Sequence, residues 1–213
     1  MARSDLTHIY FLLDRSGSMQ SIKSDTEGGF AAFVDEQRQA PGDCRVTLAR
    51  FDHEYDVAYS GVPVSDVPPL ALQPRGRTAL LDAMGRLVTD AGAELAALPE
   101  GERPGTVIVA VMTDGLENAS SEWTHDAIRS LVEQQTSVYS WQFMYMGADQ
   151  DAIEVGTRLG VDARYAVTYG RGRTKEALAG AAAKVSRLRS ARVADPAAVM
   201  EAYTDAERSE LAD

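Results

Sequence analysis

This 213-residue sequence has one cysteine, three histidines, no long apolar run and no surplus of positive charge. A lone Cys44 cannot close an intramolecular disulfide, which fits a reducing compartment, and it rules out a cysteine-rich zinc site. The first apolar stretch, Ile9 to Leu13, stops at Asp14 and is too short for a secretory h-region or a membrane span. No other targeting segment stands out, so the expectation is a cytoplasmic protein without membrane association. Acids number 32 against 21 Lys and Arg, a formal net charge of -11, whereas a broad nucleic-acid footprint needs basic residues to neutralise phosphate. The turn after the first apolar run lacks G-x-G-x-x-G, and no P-loop pattern occurs anywhere, which removes the common dinucleotide and nucleotide sites.

What is present is an ordinary globular composition, 45% hydrophobic and 25% charged, at a length that supports one sizeable core. Ile9–Leu13 and Thr106–Met112 are nearly uninterrupted apolar runs, as strands buried on both faces require. Val138–Met146 is a third run of this kind. Arg45–Phe51 alternates like a strand nearer the sheet edge and pairs with Tyr55–Val62 across a D-H-E turn, while Ala163–Thr168 forms a short last strand. Between these runs the period becomes helical. Leu80, Leu81, Met84, Leu87, Val88, Ala91 and Leu95 put one apolar side on a helix over Thr78–Ala97. Ile22, Phe30, Phe33 and Val34 mark a weaker helix, in which Gly28 and Gly29 cost up to roughly 1 kcal/mol each and suggest close packing on the sheet. Further helices are expected around Trp123–Val132 with Ser121 as N-cap, over Asp149–Leu159 closed by Gly160, and over Thr174–Arg192.

Strands alternating with helices imply an α/β fold: a three-layer, doubly wound, mostly parallel sheet flanked by helices, with one antiparallel edge strand. The domain is expected over residues 1–192, followed by an acidic tail at 193–213 for which a helix is one option. Residues 171–192 carry seven basic side chains against Glu176 alone, and the tail carries six acids against Arg208 alone. The two segments either attract each other or present two solvated faces.

In such a sheet, ligands bind beyond the carboxyl ends of the strands where strand order reverses. Residues just after the strands are therefore the informative ones. Asp14, Ser16 and Ser18 follow the first strand as D-x-S-x-S, Asp114 follows the central strand in T-D-G, and Thr78 precedes the long helix in G-R-T-A-L. Two carboxylates and three hydroxyls suit a hard cation, Mg2+ first, with Mn2+ or Ca2+ also admissible. No histidine or thiolate accompanies them to favour zinc.

D-R-S-G-S-M at 14–19, Thr78 in G-R-T-A-L and Asp114 in T-D-G together resemble the metal-ion-dependent adhesion site (MIDAS) of the von Willebrand factor type A (VWA) family, in its intracellular bacterial branch. The resemblance runs from about Asp5 to about Leu188. It implies a Rossmann-like VWA fold in which Ser16, Ser18 and Thr78 ligate magnesium or manganese while Asp14 and Asp114 act directly or through water. It also implies a non-catalytic role, in which a partner protein completes the metal shell with an Asp or Glu.

Other readings stand beside this one. A Mg2+-dependent phosphatase or phosphotransferase would use Asp14 as nucleophile, but it needs a nearby proton donor and a lysine for phosphate. Ser16 occupies the second position after Asp14, and the nearest lysine in sequence is Lys23 on a helix. Asp52, Glu54 and Asp56 alternate like calcium ligands, yet no glycine and glutamate complete an EF-hand loop, so they read as a solvated turn. Gly170-Arg171-Gly172-Arg173 reads as an anion-binding loop or as a linker into the last helix. Tyr139, Trp141, Phe143 and Tyr145 share one strand face and read as core. Arg15, Arg75 and Arg77 flank the oxygen cluster and suggest a basic rim that steers an acidic partner, or simply solubilises loops.

Overall fold

The computed structural model describes residues 2–212; Met1 and Asp213, the outer ends of the expected domain and tail, lie outside them. Six strands, β1 (Arg3–Asp14), β2 (Asp43–Phe51), β3 (Tyr55–Pro63), β4 (Pro104–Thr113), β5 (Gln142–Ala148) and β6 (Ala166–Tyr169), form one sheet. The helices are α1 (Lys23–Gln39), α2 (Leu80–Ala97), α3 (His125–Tyr139), α4 (Ala152–Arg158), α5 (Thr174–Ala194) and α6 (Asp205–Ala212). Strand order is β3-β2-β1-β4-β5-β6, with β3 antiparallel to β2 and every other pairing parallel. The three-layer, mostly parallel sheet with one antiparallel edge strand is thus the observed architecture. Among the described residues no helix is long and apolar enough to cross a membrane.

Helices cover both faces, so β1 and β4 are buried almost throughout, as their uninterrupted apolar runs require. Phe11 of β1 meets Phe30 and Phe33 of α1 edge-on at 5.2 and 5.5 Å between ring centroids. Gly29 does allow close packing, but against α5 rather than the sheet: a Cβ there would lie 2.6 Å from a methyl carbon of Leu178. Helix α5 lacks a one-sided apolar period because it also buries cations. Lys184 reaches the carbonyl of Ala202 and the carboxylate of Glu207, and Arg189 donates to the carbonyls of Gln37 and Gly42, where α1 ends. Lys184–Glu207 and Arg187–Glu201 show the basic and acidic segments paired rather than separately solvated. Met200, Tyr203 and Leu211 of the tail are buried in the common core.

Two local expectations shift. Val138 and Tyr139 are the exposed last turn of α3, not the start of β5; Ser140, at φ 58°, turns the chain out of the helix before Gln142 begins the strand. Their β-prone side chains had merged with the strand's apolar run, and only Trp141, Phe143 and Tyr145 of the expected aromatic row are buried. The N-cap of α3 is Thr124, whose hydroxyl accepts from the Ala127 amide, because the backbone amides of residues 121–123 are taken by Asp82.

His8 of β1 is buried, shares a 2.8 Å hydrogen bond with Thr47 and stacks on Tyr10. Burial, with Arg45 as a smaller cause, pushes its pKa down to about 4 from an ordinary 6.5. Above pH 6.5 both folded and unfolded states hold it neutral; between 6.5 and 4 the unfolded chain takes up a proton that the folded chain refuses. Stability is therefore expected to fall with pH through that window, by about 3 kcal/mol at pH 4. Urea unfolding of wild type and His8→Gln at pH 7 and 4.5 checks this. The variant should lose clearly less stability than wild type on acidification, and identical losses would refute it.

Candidate metal-binding site

After β1 the chain turns outward through β2 and β3, and after crossing back it fills the other side with β4, β5 and β6. The reversal falls between β1 and β4, so their carboxyl ends open on the crevice where α/β sheets bind ligands. Asp14 is the last residue of β1, and beside it β4 ends at Thr113 with Asp114 next in the chain. The Thr113 hydroxyl donates to Asp14 Oδ2 at 2.6 Å, a contact across 99 residues of sequence.

The polypeptide leaves β1 through a turn that the Asp14 carboxylate itself organises, accepting from the Ser16 amide at 2.6 Å through Oδ1. This turn brings Ser16 Oγ and Ser18 Oγ to 3.0 Å, and Ser18 Oγ donates to Asp114 Oδ1 at 2.6 Å. Thr78 arrives from the opposite side. A Cβ placed on Gly115 would lie 2.8 Å from Thr78 Oγ1, 3.5 Å from Ser18 Oγ and 3.6 Å from Ser16 Oγ. The three hydroxyls thus face one small volume that the missing side chain of Gly115 leaves open, and all five expected side chains share this rim.

Thr78 is held from two directions. Its amide donates to Asn118 Oδ1 and its carbonyl accepts from the Asn118 amide, while Glu117 accepts from the Leu81 amide at the start of α2. On the other side Asp52 is wholly buried, contrary to a solvated turn. It accepts from Arg15 Nε and Arg75 Nε at 2.9 Å each and from the Glu54 amide at 2.7 Å. Burial raises its pKa, but the Glu54 amide and the two guanidinium groups more than offset this and hold it below the usual carboxylate range. The Asp52 carbonyl accepts from Ala79 and the Arg15 carbonyl from Arg75, which ties the Thr78 loop to the first-strand turn.

This clamp uses two of the three arginines expected on the rim. Arg15 is buried and turned towards Asp52 and Asp56, and Arg75 spans Asp52 and Glu54. Arg77 is exposed and has no ion pair among the described residues. A fourth arginine enters the site instead. Arg171, from the G-R-G-R loop between β6 and α5, donates through Nη1 to Asp114 Oδ2 at 2.9 Å. Thr113 and Asn118 carried no ligand-like pattern of their own, Thr113 being marked only by its position before Asp114; Asp52 and Arg171 lay in an acidic alternation and a basic loop whose sequence did not link them to this site.

The electrostatics follow from burial. Asp14 has its pKa pushed up to about 6, chiefly by burial, with hydrogen bonds from Thr113 and Ser16 opposing. Burial also raises Asp114, against the Ser18 hydroxyl and Arg171. Behind them the hydroxyl of buried Tyr169 lacks a hydrogen-bond partner among the described residues, and burial followed by the two carboxylates keeps it firmly protonated. Two confined carboxylates carry the charge that a divalent cation would neutralise. Neighbouring oxygens in an octahedral Mg2+ shell lie about 2.9 Å apart, close to the spacings among Ser16, Ser18 and Asp114, so the donor set fits such an ion. Among the described residues no group of three His, Cys, Asp or Glu side chains is arranged to hold a metal ion, so the site depends on its hydroxyls. A cavity of about 1180 Å³ lies at the opposite end of the sheet, between Pro104, Phe143 and Arg192.

No protein-family model matches the sequence, and no curated protein does. Solved structures do resemble the chain. Proximal thread matrix protein 1 from the mussel byssus, in a structure described as having a zinc-occupied MIDAS motif, is 16% identical with a TM-score of 0.54 over 83% of this chain and 46% of its own. A von Willebrand factor type A structure from Catenulispora acidiphila is 15% identical, with a TM-score of 0.59 over 84% of this chain and 42% of its own. The vWF domain of the type V pili tip protein Mfa5 from Porphyromonas gingivalis is 11% identical, with a TM-score of 0.57 over 85% of this chain and 95% of its own. The chain spans less than half the length of the first two. At these identities the likeness establishes the fold: the chain has the architecture of a von Willebrand factor type A domain.

Proposed function

We propose that the chain is a divalent-metal-dependent protein-binding module. Ser16, Ser18, Thr78, Asp14 and Asp114 would hold Mg2+, or Mn2+ or Ca2+ in its place, and a partner protein would complete the shell with an Asp or Glu side chain. The observation that carries this reading is the convergence of three hydroxyls on the space beside Gly115, with two buried carboxylates adjoining them. The zinc-occupied MIDAS of the mussel protein supports divalent occupancy of a site on this fold. When bound, the ion supplies Lewis acidity towards an incoming carboxylate. The chain's own residues orient the hydroxyls and balance the charge. Leu116, 63% exposed and two residues beyond Asp114, offers a partner an apolar contact beside the site, and exposed Arg77 supplies a long-range attraction for acids.

The phosphotransfer alternative gains nothing from the geometry. Asp14 is buried and both its oxygens already accept hydrogen bonds, which leaves it poorly placed to attack phosphorus. Lys23 lies beside Glu27, 3.9 Å away.

Affinity capture tests the reading. Wild type in Mg2+ is expected to retain a partner that Thr78→Ala, or wild type in chelator, retains at least tenfold less. Capture insensitive to both would remove the metal from the mechanism.

A further inference from the structure

The loop between β6 and α5 carries a fixed cation into the candidate site. Arg171 Nη1 donates to Asp114 Oδ2 at 2.9 Å, to Ser21 Oγ at 2.7 Å and to the Ser18 carbonyl at 3.3 Å, and Nη2 lies 3.4 Å from the Asp114 carbonyl. Its Nε is held at 2.8 Å by Asp149 Oδ2. Asp149 adopts φ 49°, a left-handed conformation uncommon outside glycine, with its amide bonded to the Tyr169 carbonyl. At the base of the loop the Thr174 hydroxyl donates to the Arg171 carbonyl at 2.9 Å. The arginine is therefore restrained at its backbone and along its guanidinium, and Asp114 has one oxygen committed to Ser18 and the other to Arg171.

We propose that Arg171 is a resident counter-cation that competes with a divalent ion for Asp114 and so holds down the site's intrinsic metal affinity. The inference rests on the metal-binding reading of this site. An ion held by the three hydroxyls draws on the same carboxylate charge that Arg171 already neutralises, and it sits within a few ångströms of that guanidinium. At such separations a doubly charged ion is repelled strongly enough to lower its affinity roughly tenfold even at the dielectric constant of water. An incoming carboxylate offers both cations a shared anion, so metal and partner reinforce each other's binding, and the coupling is reciprocal. Arg171 thus acts as a positioning residue that sets how strongly metal and partner depend on one another.

The test uses the full chain and Mn2+ alone, with free Mn2+ followed by electron paramagnetic resonance and thermal unfolding measured in chelator and in saturating Mn2+. Arg171→Gln should bind Mn2+ about tenfold more tightly than wild type, whereas Arg171→Lys, which keeps the charge, should stay near wild type. The glutamine variant should also melt below wild type in chelator, where Asp114 loses its counter-charge, and recover in Mn2+. Unchanged or weaker Mn2+ binding by Arg171→Gln would overturn the proposal. So would a lysine variant that behaves like the glutamine one, or a melting deficit equal in both conditions, which marks a purely structural arginine. If wild type binds Mn2+ and Asp14→Asn does not, any of these three failures falls on Arg171 alone. Absence of binding by both wild type and Arg171→Gln would overturn the metal reading and this inference with it.

Discussion

Asp14→Asn is expected to abolish Mn2+ binding, weakening it at least about a hundredfold, while leaving the fold intact. Exchanging a residue that only supports a metal ligand already costs about 10- to 100-fold. Asp14 is one of two charges available to the ion, and the other already faces Arg171. The fold tolerates the change because an asparagine carbonyl can still accept from the Ser16 amide, where Asp14 Oδ1 now does so. The side-chain amide then faces the Thr113 hydroxyl, which can turn from donor to acceptor because the Gly115 carbonyl, 3.0 Å away, takes its proton. Burial opposes ionisation of the aspartate, so the metal-free variant should be no less stable than wild type. A Mn2+ titration with thermal unfolding in chelator measures both quantities. Affinity within tenfold of wild type would count decisively against Asp14 as a ligand.

The second large effect lies outside the expected ligand set. Asp52→Ala is expected to destabilise the protein by about 3 kcal/mol. Breaking a buried ion pair typically costs about 3–5 kcal/mol because the remaining charge stays desolvated. Arg15, with its side chain 10% exposed, keeps only Asp56, whereas Arg75 is half exposed and contributes little. The damage should spread to the site. The buried carboxylate fixes Arg15 and Arg75, whose backbones bond to each other, and the Gly17 amide bonds to the Gly76 carbonyl, so the serine turn and the Thr78 loop lose their common anchor. Urea unfolding should show the loss and a Mn2+ titration should show weaker binding. A cost below about 1 kcal/mol would mean that Asp52 anchors nothing of consequence.

The contrast between Asp14 and Asp52 shows what was legible in the sequence. Asp14, Ser16 and Ser18 form a local pattern at a strand end, and Thr78 and Asp114 sit at junctions that apolar periodicity alone locates. The mostly parallel sheet with an antiparallel edge strand followed from the same runs, since strands buried on both faces need helices on both sides, whereas the strand order came only from the structure. Asp52 looked like a turn former because its partners, Arg15 and Arg75, are 37 and 23 residues away. Arg171 is 57 residues from Asp114, and in isolation its loop was indistinguishable from a linker. Helix α5 hid its role because Lys184, Arg189 and Arg192 sit buried where the period called for apolar residues. In each case the deciding interaction was a charged group finding a distant partner, which periodicity does not encode.

The two margins of the sheet have a consequence for solubility. Strand β3 has one unpaired side, but its pairing with β2 slips register twice and it ends at Pro63, features that discourage another strand from adding there. At the other margin, β6 has four residues, and the last segment of the chain bonds to backbone on either side of it, at the Arg164 carbonyl and the Gly170 amide. The acidic segment after α5 thus acts as an edge guard. With both flanks blunted against cross-chain β pairing, the molecule can present the open ends of β1 and β4 to a partner without its sheet becoming a template for aggregation.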